Sequence, residues 1–349
     1  MGSTGSDRNG IRGGRRVLGG LACVAVLAGC GEAATSVDPV GRAAAPATSA
    51  GASAPTSAAA TDAASLPPAM PVTGLDGAIV HGVAPFEGGV VAVGSVADEP
   101  AAWTSEDGHT WEPAQVQGGD AVQSLRAVAF AGKGVAFGGD NPATSPVWTS
   151  ADGGAWKHAG DGDAGIDGRV NAVDVDRGRW VAAGDIVDDE SGEAYKGGVW
   201  TSDDGRSWKK AADVALDEGT VSDVAVASDT TVIAGFDVAG GKIWTARGGA
   251  DFAPADNQDF AAATIQGVTA TGDGFVAVGR SLADQQVVAW TSQDGVTWTR
   301  QDLPSEMFAP DEEINELATV GERIFAVGAT PQGGAVWTSQ DGLSWSAGS

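Results

Sequence analysis

From about residue 77 to its end, the chain is built of short β-branched and aromatic runs, cut at regular places by Gly, Asp and Asn. Runs of this kind predict strands. No helical period is sustained between the first repeat and the last. The runs recur in fixed phase. An apolar residue opens each unit and a glycine stands 14 positions later, in Val80/Gly94, Leu125/Gly139, Val170/Gly184, Val221/Gly235, Ile265/Gly279 and Ile314/Gly328. A second phrase, Trp-Thr-Ser or Trp-Thr-Ala leading toward a second aromatic, begins at Trp103, Trp148, Trp200, Trp244, Trp290 and Trp337, at spacings of 44 to 52 residues. A period of that length, carrying four short strands, predicts one blade of a β-propeller per repeat. The fifth unit reads most clearly, with strands at 265–270, 274–278, 287–291 and 296–300. The expected fold is therefore all-β, a six-bladed propeller of four-stranded blades over 77–349. Only four residues follow Trp345, which predicts a short last outer strand, and residues 70–73 are candidates to complete that blade.

In Ser292-Gln293-Asp294-Gly295-Val296-Thr297-Trp298 the glycine supplies a positive φ and the aspartate bonds nearby backbone N–H groups. The flanking tryptophans then bury large area between neighbouring sheets. Eleven of the twelve tryptophans belong to this phrase, and Phe252 replaces the second one in the fourth copy, which also lacks the Asp-Gly. Near-identical turns in a ring are scaffold, because an active site needs different residues converging on one point. These turns resemble those of the bacterial-neuraminidase-repeat, or Asp-box, propellers, whose hairpin reads Ser/Thr-x-Asp-x-Gly-x-Thr-Trp between the third and fourth strands. Here Ser105-Glu106-Asp107-Gly108-His109-Thr110-Trp111 and its relatives run one residue shorter between Asp and Trp. The resemblance covers roughly residues 77 to 349. It implies the fold, and a range of functions from sialidases and other glycan-active enzymes to pure binding proteins.

The N-terminus reads as an export signal. Arg12, Arg15 and Arg16 precede an apolar run from Val17 to Gly29, too short and glycine-rich for a membrane span. The run ends in Leu27-Ala28-Gly29-Cys30, which resembles a bacterial lipobox. The resemblance implies that 1–29 are removed, that Cys30 is lipidated, and that the mature chain is anchored to the outer leaflet of the cytoplasmic membrane. Arg15-Arg16 is also a partial twin-arginine match, so the export route stays open. Cys23 leaves with the signal, so the mature protein has no disulfide and no free thiolate. Residues 30–76 are rich in Ala, Thr, Ser and Pro, which predicts a disordered tether.

Charge narrows the partners. Of the 20 basic and 46 acidic residues, 15 and 41 lie from Gly77 onward, so the net charge of −26 belongs to the repeats. That excess argues against nucleic acid and against direct docking on anionic lipid, leaving the lipid anchor as the only membrane contact. A protein, glycan or small polar ligand is expected as partner, and a monomer as the assembly.

Strand order divides the loops between two faces. The Asp-Gly turns and the turns between the first and second strands share one face. The long segments 161–168, 185–196, 256–262 and 301–313 belong to the other, where binding usually lives on a rigid scaffold. The second position of each inner strand carries His81, Arg126, Asn171, Ser222, Gln266 or Asn315. These six are expected to ring the channel mouth on the long-loop face, either hydrating it or holding a polar ligand. No cofactor is expected. Asp161, Asp163 and Asp167 are a weak calcium candidate, since Gly165 stands where a third ligand belongs and the bidentate Glu of an EF-hand is missing. The sialidase resemblance would require an arginine triad, an early Arg-Ile-Pro, a Tyr/Glu pair and an acid aspartate. Arg-Ile-Pro is absent, Tyr195 is the one tyrosine and is expected on the long-loop face near Glu190 and Glu193, and Arg126, Arg169 and Arg280 are expected to share that face. An exported glycan-active hydrolase is the alternative to a binding propeller.

Overall fold

The computed structural model describes residues 72–348, except 120–121, 140–143, 161–165, 188–194, 216–218, 256 and 305–306. Cys30, the tether to residue 71, Asp161, Asp163, Glu190 and Glu193 lie outside the described residues. Among the described residues no helix is long and apolar enough to cross a membrane.

Six antiparallel sheets follow one another along the chain, each built in sequence order. The strands nearest the axis are Ala78–Phe86, Leu125–Phe130, Arg169–Asp176, Thr220–Ala227, Ala263–Thr271 and Glu313–Val320. Each packs against its neighbours in order and the last packs against the first, so the six blades close into a ring. Blade 2 carries a fifth strand, Gln115–Gln117, which pairs parallel to its outer strand Ala155–Gly160. In blade 5 the outer strand is Thr299–Asp302, not 296–300, because Val296 to Trp298 are still engaged in the Asp-Gly turn.

The core is a set of six inter-blade layers. Trp148, Trp156 and Leu125 lie between blades 1 and 2, Trp200 and Trp208 between 2 and 3, and Trp244 between 3 and 4. Trp290 and Trp298 fill the space between blades 4 and 5, Trp337 and Trp345 that between 5 and 6, and Trp103 and Trp111 that between 6 and 1. All eleven tryptophans are nine-tenths buried or more. Burying such rings between sheets is the main source of stability for the described residues, which include no cysteine.

The 14-residue interval has a direct cause. Val80, Val170, Val221, Ile265 and Ile314 lie opposite Gly94, Gly184, Gly235, Gly279 and Gly328 in the ladder between the first two strands. A Cβ on Gly94 would stand 1.9 Å from the Ile79 carbonyl oxygen, and on Gly328 1.7 Å from that of Glu313. In blade 2 the partner of Leu125 is Gly138 rather than Gly139, which turns out of the strand with φ +95°.

The seam also differs from expectation. Blade 6 completes itself with Trp345–Gly348 as its outer strand. Residues before the first blade instead tie the two ends of the ring. Thr73 exchanges hydrogen bonds with blade 1, donating to the His109 carbonyl at 3.0 Å and accepting from Trp111 N–H at 2.9 Å. Two residues on, Leu75 accepts from Gly334 of blade 6 at 3.2 Å and is itself buried in the layer between blades 6 and 1.

Candidate functional site

Every inner strand carries a β-bulge at the same place. The register between the first two strands shifts across Val80/Gly82, Leu125/Ala127, Val170/Ala172, Val221/Asp223, Ile265/Gly267 and Ile314/Glu316. The extra residue is in each case one of the six polar candidates, His81, Arg126, Asn171, Ser222, Gln266 or Asn315, and all six are half-buried. A bulge re-aims the side chain of its extra residue, and here the aim is along the ring. Asn171 Nδ2 donates to the Val221 carbonyl at 2.8 Å, Ser222 Oγ to that of Ile265 at 2.8 Å, and Asn315 Nδ2 to that of Val80 at 2.7 Å. Three of the six therefore tie one blade to the next. Arg126 Nε donates to the Gly139 carbonyl at 3.1 Å within its own blade. The Gln266 Oε1 is buried with no hydrogen-bond partner.

Other candidates on this side are also engaged. Asp185, 1% exposed, binds Arg169 Nη2 at 2.7 Å and accepts from Asn171 Nδ2, Thr220 Oγ1 and the Val221 N–H, which clips blade 3 to blade 4. Buried Arg280 donates to the carbonyls of Gln285 and Glu312. Asp167 accepts from Trp200 Nε1 at 3.0 Å. All three arginines grouped for a carboxylate triad are thus engaged with the scaffold, and Asp167 serves a core tryptophan. Tyr195 opens the third strand of blade 3. Among the described residues no group of three or more His, Cys, Asp or Glu is placed to hold a metal ion.

Toward the Asp-Gly face, one residue past the bulge and beyond, the inner strands carry buried carboxylates that sequence reading did not single out. Asp223 is 2% and Glu316 5% exposed. Asp223 accepts the N–H of its neighbour Val224 at 2.7 Å, of Val268 on the next blade at 2.8 Å, and of Leu317 two blades away at 3.4 Å. Glu316 reaches across Gly82, where a Cβ would meet its Oε2 at 2.9 Å, and accepts the Val83 N–H. Asp174 accepts from Val226 and Asp176 from Ser228, each at 2.7 Å, again on the following blade. Loss of water on burial pushes the Asp223 and Glu316 carboxyls well above the ordinary range, each raised further by a neighbouring carboxylate. The same burial pushes Asp174 up to about 6. The signal was present in Val-Ser-Asp-Val-Ala-Val and Ile-Asn-Glu-Leu-Ala, where a lone acid interrupts an apolar inner strand. Asp174, Asp176 and Glu316 border a cavity of about 230 Å³ in the axial channel, to which all six inner strands contribute.

On the same face a wider groove of about 870 Å³ separates the turns of blades 5 and 6, with Asp294 and Asp341 on its walls. Both carboxylates already accept two turn N–H groups, Asp294 from Val296 and Thr297 and Asp341 from Leu343 and Ser344. The turns also dock between blades. Gly108, Gly153, Gly205, Gly295 and Gly342 all have positive φ and lie against Phe325, Phe86, Val135, Val232 and Val276 of the preceding blade.

Protein-family models give no match to this chain, and a search of curated proteins finds no similar sequence. Solved structures do resemble it. The Aleuria aurantia lectin, in complex with α-methyl-L-fucoside, superposes with a TM-score of 0.55 at 9% identity, over 79% of this chain and 96% of the lectin. The SapL1 lectin, also in complex with an α-methyl fucoside, gives 0.51 at 12% identity, over 78% and 95%. An α-L-arabinofuranosidase from Fusarium graminearum gives 0.49 at 11% identity, over 75% and 92%. At these identities the likeness is one of fold.

Proposed function

We propose that this chain is an exported binding propeller, anchored by lipid at Cys30, which holds a glycan or other small polar ligand at the channel mouth on its long-loop face. The observation that carries this reading is the bulge ring. Six polar side chains of five kinds are fixed at one level of a rigid channel, and one of them, Gln266, keeps a buried carbonyl oxygen without a donor. An unmet buried acceptor is costly unless something supplies the proton, and a ligand hydroxyl would do so. Arg126 stands on the same ring with a charged, multi-donor head. Binding rather than hydrolysis is favoured because Arg169 and Arg280 are taken up by Asp185 and by backbone carbonyls. The fucosides held by the two lectins make fucosylated glycans the first ligands to try.

The test is a glycan array probed with purified mature protein, run beside chromogenic glycosides. Saturable binding that weakens at least several-fold in Arg126→Ala and Gln266→Ala, and is unchanged in Arg206→Ala on the opposite face, supports the reading. Turnover of a glycoside would replace it with the hydrolase, and binding indifferent to both ring substitutions would remove the site. Anchoring is checked separately, because Cys30→Ser should release the protein from membranes or leave it as unprocessed precursor.

A further inference from the structure

The channel has a second end, chemically unlike the first. On the Asp-Gly face its cavity has apolar walls, with Val83, Val128, Val173 and Val226 among them, and acids at the bottom and rim. Its acids are Asp174, Asp176 and Glu316, and the first two have oxygens occupied by backbone N–H groups, as described above. Glu316 is different. It is 95% buried by its 5% exposure, it borders the cavity, and its Oε2 has no hydrogen-bond partner. Ionised, that oxygen is a buried charge lacking a donor, and protonated it is a donor lacking an acceptor. Either state costs free energy while that oxygen stays buried without a partner.

We propose that this end of the channel is a binding site for a primary ammonium on an unbranched alkyl chain, with Glu316 Oε2 as the acceptor at its floor. Several properties select this ligand class. The available acceptor is anionic, and the surrounding chain carries a net charge of −26, which concentrates cations near its openings. The walls are apolar and would cover methylene groups. The cavity, about 230 Å³, suits a chain of a few carbons and would be too small for a sugar of two units. A metal ion fits less well, because it needs several free oxygens at once while Asp174 already serves two backbone N–H groups and Asp176 one. The ammonium takes Glu316 Oε2, and the Thr269 and Thr319 hydroxyls, 3.1 Å apart, lie farther along the cavity wall. The site is independent of the bulge ring at the other mouth.

The charged groups around it fix the pH behaviour. Asp174, Asp176 and Glu316 face the cavity. Asp223 is near enough to Glu316, and Arg179 to Asp174, to affect their charge. His81 and Arg126 stand one level away, toward the other mouth. Burial favours protonated carboxyls, so an entering cation displaces protons. Binding should therefore strengthen from pH 5 to pH 8 and release protons to buffer. The ammonium has two sources, a free amine or a lysine side chain of a partner.

The experiment is titration calorimetry of the mature protein with 1,5-diaminopentane and with a lysine-containing peptide, in two buffers of different ionisation enthalpy. The neutral control is 1-pentanol. Saturable binding of either amine with proton release, and no binding of pentanol, is expected, and whichever amine binds identifies the source. Glu316→Gln should weaken binding at least tenfold and abolish the proton release. Thr319→Leu, which narrows the mouth without touching the floor, should also weaken it, and serves if Glu316→Gln does not fold. Arg126→Ala should leave amine binding unchanged, so failure of this site and of the glycan site are read apart. No heat with either amine at millimolar concentration, equal binding of pentanol, or full binding by both channel variants would overturn the proposal.

Discussion

Asn315 Nδ2 donates to the carbonyl oxygen of Val80 at 2.7 Å, joining the last blade to the first across 235 positions of sequence. The same bond in blades 3 and 4 joins near neighbours, so only this copy spans the seam. Asn315→Ala should leave the Val80 carbonyl without its donor and destabilise the protein by about 1–3 kcal/mol. Asn171→Ala also removes a donor from the buried Asp185 and should cost at least as much. Chemical denaturation of both variants checks this.

The channel acids and the turn acids move stability in opposite directions with pH. Asp174, raised to about 6, binds a proton more readily in the folded than in the unfolded chain. Its stabilising effect is full at low pH and is lost as pH rises through about 6. Asp223 and Glu316 act in the same sense over a range reaching higher. Asp107, held to about 2 by the Thr110 and His109 N–H groups, contributes stability above the ordinary carboxyl range that disappears as pH falls toward 2. The melting temperature should therefore rise from pH 8 to about pH 5 and fall again in strong acid. Glu316→Gln keeps one oxygen for the Val83 N–H and removes the buried charge, so it should flatten the rise and stabilise the protein at pH 8. A profile in which wild type and Glu316→Gln run parallel would remove Glu316 as a source of the effect.

Two glycines isolate the docking of the Asp-Gly turns. Gly108 and Gly132 both have positive φ, at 80° and 67°. A Cβ on Gly132 would meet nothing within 4 Å, while on Gly108 it would stand 2.5 Å from the Phe325 ring. Gly132→Ala should cost about 1–2 kcal/mol from backbone strain alone. Gly108→Ala should cost about 1–3 kcal/mol more through overpacking. Equal costs in thermal or urea melts would contradict the docking.

Within one turn, the aromatic matters more than the acid. Trp298 is 7% exposed, donates to the Gly295 carbonyl at 3.0 Å, and packs between blades 4 and 5. Trp298→Ala should cost about 3–5 kcal/mol through the cavity it leaves. Asp294 bonds N–H groups that remain near solvent, so Asp294→Ala should cost only about 1 kcal/mol. Comparing the two midpoints in urea checks the order.

The blade count, the phase of the strands and the turn chemistry were legible in the sequence because each is a local rule repeated six times. Val80 and Gly94 announce their pairing by interval alone, and Ser292, Asp294 and Gly295 announce their turn by residue type. The direction of Asn171, Ser222 and Asn315 was not legible. It depends on a bulge that turns the side chain toward the next blade, and a bulge leaves no mark in composition. Asp223 and Glu316 were hidden for a different reason. In a chain with 46 acidic residues a further acid reads as solubility, and its burial emerges only when six strands converge on an axis.

A ring whose hydrophobic layers lie between blades has no finished surface until it shuts. Five layers join neighbours along the chain, but the sixth brings Leu75, Val80 and Val83 against Phe325, Val327 and Val336. During synthesis the first blade emerges roughly 250 residues before its last partner, and an unpaired apolar flank on a growing chain invites aggregation. The outer strand of blade 6 ends at Gly348. Translation that stops within this strand would therefore damage two faces at once, the truncated blade and the one that has waited longest for it.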